Sequence, residues 1–482
     1  MKGAPSSGSG AGEERAPSEA YAWYVVGLLT LVYVLSFLDR QILSLMVSDL
    51  KTGLSLDRDW QVGFLMGPAF AVFYTLFGFP FGRLADTANR SRVVAFGLVV
   101  WSLMTVGCGL ARQFWQMAMM RVGVGIGEAS LSPSAYSIIS DSFGAGKLAR
   151  AISVYASGIY LGSGLAFMIG GRAVTSLRGT EAWQIPFFGA IAGWQKVFWI
   201  VGLPGLFVVP LVLLTLREPV RRGLVGASAG VQTGQAPIAL PLSQVLAFAR
   251  EHWRVLATHH LGFALLSFSS YGSNAWLPSM FQRVYGWDVA SFGLVFGLIV
   301  FVGSAGGAIS GGILADWLAR RGHRDSKIRV GWLAAIAWLP FGVSFPLVDD
   351  GVVAMTLVAP AAFLSAMPFG VAPAAIQEIT PNNLRGQISS IYLFVINLVG
   401  LAIGPLLLAL LTDYVFTEAR FGVGGIRWSM LSTTVFAHVG AALLLGLGLG
   451  EFRRALDSSW AEGSSSAEGS SWAEGSRPPE LQ

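Results

Sequence analysis

Four ionisable residues lie inside long apolar runs: Asp39 and Arg40 in SFLDRQIL, and Arg121 and Glu128 in RVGVGIGEAS. Charges held in hydrocarbon are costly, so they mark pairs, watery cavities, or proton and ion paths. Two chemistries suit this set. A carboxylate that moves between a desolvated site, favouring its protonated form, and an arginine, favouring its charged form, can carry a proton. An arginine can also grip an anionic headgroup through two parallel hydrogen bonds.

Spacing supports a shared site. Arg121 and Glu128 are seven residues apart, two turns along one helix face. Asp39 lies roughly 25 Å into its run and Arg121 about 10 Å from the opposite end of its own, so their depths match and they are expected to pair. Glu128 lies about 10 Å deeper, near the midplane. The expected roles are Glu128 as main protonation site, Asp39 as outer relay, and Arg121 and Arg40 as counter-ions or headgroup ligands. Adjacent helix residues point about 100° apart, so one of Asp39 and Arg40 faces the cavity and the other a neighbouring helix. The competing reading is a static salt-bridge cluster that sets helix packing.

The elements that position these groups are membrane helices. Of the 482 residues, 54% are hydrophobic and 12% charged, about half the charge usual in a soluble chain. The apolar blocks run for roughly 20 residues, enough to cross about 30 Å of hydrocarbon. Strands of alternating polarity, the mark of a β-barrel, are not the pattern. The spacing predicts twelve spans: 22–48, 61–82, 93–111, 114–141, 150–171, 196–216, 255–281, 289–314, 330–348, 352–379, 386–412 and 428–451.

The fold class expected is therefore an all-α membrane protein, with twelve transmembrane helices in two pseudo-symmetric six-helix bundles, 21–216 and 255–452. A flexible cytoplasmic linker, 217–254, joins them. A 1–20 tail, lacking the basic region and apolar core of a signal peptide, and a 453–482 tail repeating SSWAEGSS are expected to be disordered. The net charge of +5 reflects topology rather than nucleic acid. Short loops on one side collect Arg83, Arg90, Arg92, Arg217, Arg221, Arg320 and Arg321, which places both termini in the cytoplasm. The single cysteine, Cys108, allows no disulfide framework.

The halves repeat. GRLADTANR at 82–90 and GILADWLAR at 312–320 match at Gly, Leu, Ala, Asp and the final Arg, 230 residues apart (312 − 82). A second echo pairs DSFGAGKLARA (141–151) with EITPNNLRG (378–386): an acid ends one span and an arginine opens the next. Two such echoes imply bundles related by an axis along the membrane normal. Asp86, Arg90, Asp141, Arg150, Asp316, Arg320, Glu378 and Arg385 read as a cytoplasmic gate. Asp86 and Asp316 are expected at helix N-termini, where the dipole favours a carboxylate. Gly158, Gly162 and Gly164, with Gly303, Gly307 and Gly311, offer small faces for crossings between the halves on spans five and eight. Candidate cavity residues are Tyr33, Tyr74, Ser132, Phe268, Tyr271, Asn274, Trp276 and Asn397.

Twelve spans with G-x-L-A-D-x-x-x-R after the second and eighth resemble the major facilitator superfamily. The fourth span, RVGVGIGEASLSPSAYSIISDSF, is similar to the Spinster family signature, as are the LDR at 38–40 and AWLPSMFQR at 275–283. The resemblance implies a bacterial Spinster-like transporter. Eukaryotic members of that family are described as exporting sphingosine-1-phosphate or lysolipids. The function expected is secondary active transport of an amphipathic, lysolipid- or sphingoid-like substrate by alternating access, proton-coupled through Glu128 and Asp39. An uncoupled uniporter of the same fold, or a non-transporting membrane sensor, is the alternative.

An enzyme is not expected. The five histidines lack metal-ligand spacing, and His259 and His260, being adjacent, are expected to face different ways. There is no phosphate-binding Gly-rich loop, and GVGIGEA lies within a membrane helix rather than after a strand. No metal or cofactor is therefore expected, and a proton gradient is the energy source. The expected partners are a small amphipathic substrate and the lipid bilayer, with no nucleic acid; the chain is expected to be a monomer.

Overall fold

The computed structural model describes residues 18–219, 242–381 and 384–474. Apart from 18–20, the N-terminal tail lies outside the described residues, as do the centre of the linker and the last eight residues. Among the described residues, nine helices are long and apolar enough to cross a membrane. They are spans one to three, five, six, eight and ten to twelve. Three further rods complete twelve. Span four comprises Phe114–Glu128 and Leu131–Ser142, broken at Ala129–Ser130; span seven, Trp253–Tyr285, carries two histidines and Asn274; span nine, Ser326–Ser344, opens on Lys327 and Arg329.

Local chemistry sets the rod ends. Ser18 caps span one (Glu19–Leu45) by accepting from the Tyr21 amide, and Asn89 caps span three (Arg90–Cys108) by accepting from Arg92. Span two is two pieces, Asp59–Met66 and Pro68–Thr87, because Pro68 supplies no amide and restarts the helix. Such breaks survive at membrane depth only when buried in protein. Asp86 and Asp316 fall in the last turns of Pro68–Thr87 and Ala305–Arg320, not at N-termini as expected. The carboxylate that does sit at the N-terminus of span three is Glu218, which accepts from the Ser91 amide at 3.2 Å. At the linker's end, Leu242–Glu251 is helical rather than flexible, with Val245 packed in the second-half core. The last helix runs from Gly425 to Glu474 rather than stopping near 452. The repeat there supplies Ala and Glu to a helix already nucleated, so extension needs no new nucleus.

Call the end that carries Ser18 the terminal face and the opposite end the far face. The three largest buried clusters among the described residues are one mainly of the first half, which takes in Leu401 and Ala402 of the second, one within the second half, and one near the far face built from both. Two seams join the halves. Span five (Ala145–Leu177) meets span eight (Val289–Arg320), where a Cβ on Gly297 would lie 2.7 Å from the Gly164 carbonyl oxygen. Span two meets span eleven (Arg385–Tyr414), where a Cβ on Gly63 would lie 2.9 Å from the Pro405 carbonyl oxygen. Of the six expected glycines, Gly164 alone meets the other half among the described residues, and Gly303 meets only Ile299 of its own span. Gly158 and Gly162 pack on span one, and Gly307 and Gly311 on span ten (Gly351–Ile379), inside their own halves. A small face states that something approaches closely, not which helix it is.

The crossing of spans three and four gives a direct check. A methyl on Gly127 would sit 2.7 Å from the Trp101 amide nitrogen, a backbone atom that cannot swing aside. Gly127→Ala is expected to destabilise by about 1–3 kcal/mol, as overpacking does. Gly82→Ala, which meets nothing within 4 Å, is the control. Thermal unfolding of the purified protein followed by tryptophan fluorescence distinguishes them; equal melting temperatures would contradict the packing described.

Candidate functional site

The four intramembrane charges do converge, but not in the expected pairs. Arg40 Nε donates to Glu128 Oε2 at 2.6 Å, and Ser36 Oγ donates to the same oxygen at 2.7 Å. Asp39 forms no ion pair among the described residues: its Oδ2 accepts from Thr105 Oγ1 at 2.9 Å. Arg121 turns to the backbone, its Nε donating to the Leu65 carbonyl at 3.2 Å. That carbonyl lies in the last turn before the break in span two, where helix carbonyls lack their usual donors. The expected Asp39–Arg121 pair is therefore replaced by Arg40–Glu128, with Asp39 facing span three. The 100° between Asp39 and Arg40 sends one to span three and the other to span four.

Burial is nearly complete, with Asp39 at 3%, Arg121 at 2% and Glu128 at 1% exposure. Among the described residues, Asp39 Oδ1 and Glu128 Oε1 have no hydrogen-bond partner. Arg40 is boxed by aromatic rings, with Phe37 and Phe70 at 4.8 Å and Tyr74 at 4.6 Å from its guanidinium. Arg121 lies 5.0 Å from the Phe70 ring. A guanidinium supported this way keeps favourable contacts when its carboxylate leaves.

Two chambers adjoin the site. The smaller is lined by both arginines with Phe37, Gln41, Phe70 and Tyr271 among others. The larger lies against spans one, five and seven to ten. They share Phe37, Gln41, Tyr271 and Asn274. Span eight is π-helical over Ile299–Ser304, which brings Val300 and Ser304 to the larger chamber. Such bulges recur at functional sites.

Of the expected cavity residues, Tyr271 and Asn274 line both chambers, and Tyr74 lies against Arg40. Tyr33 instead stacks on Tyr155 with centroids 4.7 Å apart. Trp276 is buried and donates to the Pro405 carbonyl at 2.8 Å, so it packs span seven on span eleven. Ser132, Phe268 and Asn397 line neither chamber. Asn397 opens the π-helical turn Asn397–Ile403 of span eleven. His259 and His260 meet rather than diverge: their Nδ1 atoms are 3.4 Å apart, and His259 Nε2 contacts the Ala372 carbonyl at 2.9 Å. Among the described residues no group of three or more metal-binding side chains forms.

The gate residues resolve into latches inside each half. Arg90 bonds Asp141, Ser137 Oγ at 2.7 Å and Glu218 at 2.6 Å. Glu378 pairs with Lys327, not with Arg320. The two latches are equivalent: cation and acid are each displaced by 237 residues between halves (327 − 90 and 378 − 141). Arg385 Nε donates to the Gln377 and Thr380 carbonyls at 3.0 and 3.1 Å, covering the end of span ten. Asp86, Arg150, Asp316 and Arg320 are exposed.

Among the described residues, the ion pair that crosses between the halves, Arg283–Asp59, lies at the far face. Asp59 receives Arg283 at 2.5 and 2.9 Å and Lys51 at 2.9 Å. Asp413 of span eleven accepts from the Asp59 and Trp60 amides at 3.0 and 2.7 Å. None of Asp59, Arg283 and Asp413 was among the expected site residues. Arg283 does end the AWLPSMFQR stretch, the one signal that could have flagged it.

A charged, cavity-lined centre between two six-helix halves, clamped at one end, defines a transporter. Residues 29–405 match the Major Facilitator Superfamily model, and the chain belongs to that superfamily. Within it the chain is Spinster-like. It is 27% identical to an MFS-type efflux pump of Mycolicibacterium smegmatis over 90% of this chain and 94% of that protein. Protein spinster homolog 1 of Rattus norvegicus is 28% identical over 55% of this chain, and the match spans about half (47%) of that relative. A crystal structure of a bacterial homologue of the human lysosomal transporter Spinster, inward-facing and unoccupied, aligns with a TM-score of 0.76 at 27% identity. It covers 91% of this chain and 99% of that one. These relatives are transporters, not enzymes, and the chain is a multi-pass membrane protein of that kind.

Proposed function

We propose that this transporter moves an amphipathic organic anion by alternating access and couples it to protons through Glu128. One observation carries the reading: two carboxylates and two arginines are buried together, yet among the described residues only Arg40 and Glu128 form an ion pair. Arg121 is left as a cation without a carboxylate, and Asp39 as an acid without a cation. An anionic headgroup matches the first, and a proton matches the second. Protonating Glu128 releases Arg40 from its carboxylate while its aromatic box still supports it. Arg40 and Arg121 then together hold the anion. Proton and anion thus favour each other's binding, and the coupling is reciprocal. Asp39 serves as a relay at the edge of this centre, and the apolar part of the substrate occupies the larger chamber. In this reading the protein is a monomer of the bacterial inner membrane. Both termini are cytoplasmic, the terminal face is the cytoplasmic one, and the proton gradient is the energy source without any cofactor.

The linkage gives the test. The affinity for 1-oleoyl lysophosphatidate, measured in nanodiscs at stepped pH, is expected to fall as pH rises. Arg121→Ala is expected to weaken binding about tenfold or more at every pH, the loss typical of a charge-assisted hydrogen bond. A pH-independent affinity in the wild type would remove proton coupling from the account.

A further inference from the structure

The larger chamber has a polar wall that the ion-pair chemistry leaves unused. Span seven brings Ser269, Ser270, Ser273 and Asn274 to it. Residues 269 and 273 are one turn apart, as are 270 and 274, so these groups form a ladder rising about 6 Å along the helix. Helical serines commonly return their hydroxyl to a carbonyl of the preceding turn. Ser365, in the same chamber, does so with Ala362 at 2.9 Å. Ser269 does not: it is 3% exposed, and its Oγ has no partner among the described residues. A buried hydroxyl left unmatched is costly, so this one is suited to a partner that arrives with the cargo. The facing wall carries Phe296, Val300, Trp338 and Phe369, and its Ser304 and Ser365 hydroxyls are returned to the Ala362 carbonyl. Asn274 also lines the arginine chamber, so the ladder starts where the anion site ends.

We propose that Ser269, Ser273 and Asn274 form a subsite for hydroxyl groups of the substrate, which makes the cargo a hydroxylated organic anion. This rests on the anion being held at Arg40 and Arg121, and it adds what the next few atoms of the molecule must be. Two sources share that chemistry: a glycerol-bearing lysolipid phosphate, whose chain follows the facing wall, and a sugar acid, whose ring or chain carries neighbouring hydroxyls.

Paired probes separate them. Binding to the full chain in nanodiscs is read from intrinsic tryptophan fluorescence, since Trp338 lines the chamber. The pairs are 1-oleoyl lysophosphatidate against oleyl phosphate, and D-gluconate against hexanoate. The hydroxylated member of one pair is expected to bind about tenfold tighter, the sum of a few neutral hydrogen bonds. Which pair responds names the source. The double variant S269A/S273A should lower that preference by severalfold while leaving the non-hydroxylated member's affinity within about twofold of the wild type. The proposal is overturned if neither pair shows a preference, or if the variant weakens both members equally. Arg121→Ala keeps the two readings apart. If it weakens a probe pair that shows no hydroxyl preference, the anion site stands and the subsite falls. If no probe binds and Arg121→Ala changes nothing, both fall.

Discussion

Glu128→Gln is expected to abolish uptake driven by a proton gradient, by roughly two orders of magnitude, while exchange of substrate across the membrane continues. The glutamine mimics the protonated acid: it keeps the side chain's shape and can still accept from Ser36, but places no charge opposite Arg40. Arg40 is then permanently free for the anion, supported by Phe37, Phe70 and Tyr74. Binding should become independent of pH and no weaker than in the wild type at low pH. The magnitude follows from coupling energies of about 1–3 kcal/mol between linked sites. Counterflow in proteoliposomes, with and without an imposed gradient, measures both halves of this expectation. Loss of exchange and drive together would mean that Glu128 holds the structure rather than the proton.

Asp59→Asn should shift the conformational equilibrium instead of the chemistry. Asp59 is 3% exposed and is the acid that Arg283 and Lys51 share across the two halves. Its loss leaves the half-buried Arg283 without its counter-ion, and truncating one partner of such a pair costs about 2–5 kcal/mol. That cost falls on the far-closed state alone, because the pair exists only where the halves meet. The single cysteine, Cys108, is buried, so replacing it by serine gives a background for site-directed labels. Spin labels at E181C and V352C, exposed near the far face in opposite halves, are expected to report a longer distance population in Asp59→Asn. An unchanged distribution would show that the glycine seams, not the ion pairs, hold that end closed.

What could be read from the sequence follows a physical divide. Helix length and apolarity are local properties, so twelve spans and their two-half grouping were legible, with ends shifted by a few residues except at the last helix, which runs on to Glu474. The four buried charges were legible as well, because a charge in hydrocarbon stands out against its own neighbours. Their pairing was not. Whether Asp39 or Arg40 reaches span four depends on helix rotation, which the break in span two at Gly67 and Pro68 helps to set. Glu218 was hidden because it opens a stretch whose composition reads as linker, and only the return of the chain to span three gives it a partner. Asp59, Arg283 and Asp413 lie at rod ends, where charges are ordinary, and become a clamp only when residues more than 350 positions apart meet. The same limit applies to Gly307 and Gly311, whose small faces were evident but whose neighbour, span ten, was not.

The most direct test of the central claim, that an anion and a proton share this site through Glu128 and Arg40, is proton movement in proteoliposomes loaded with a pH dye. An imposed gradient of 1-oleoyl lysophosphatidate or D-gluconate, whichever the wild type binds, is expected to change the dye signal in step with substrate flux, and Glu128→Gln to remove the change. Substrate flux with a silent dye would contradict the account and leave the charged centre as a headgroup clamp alone.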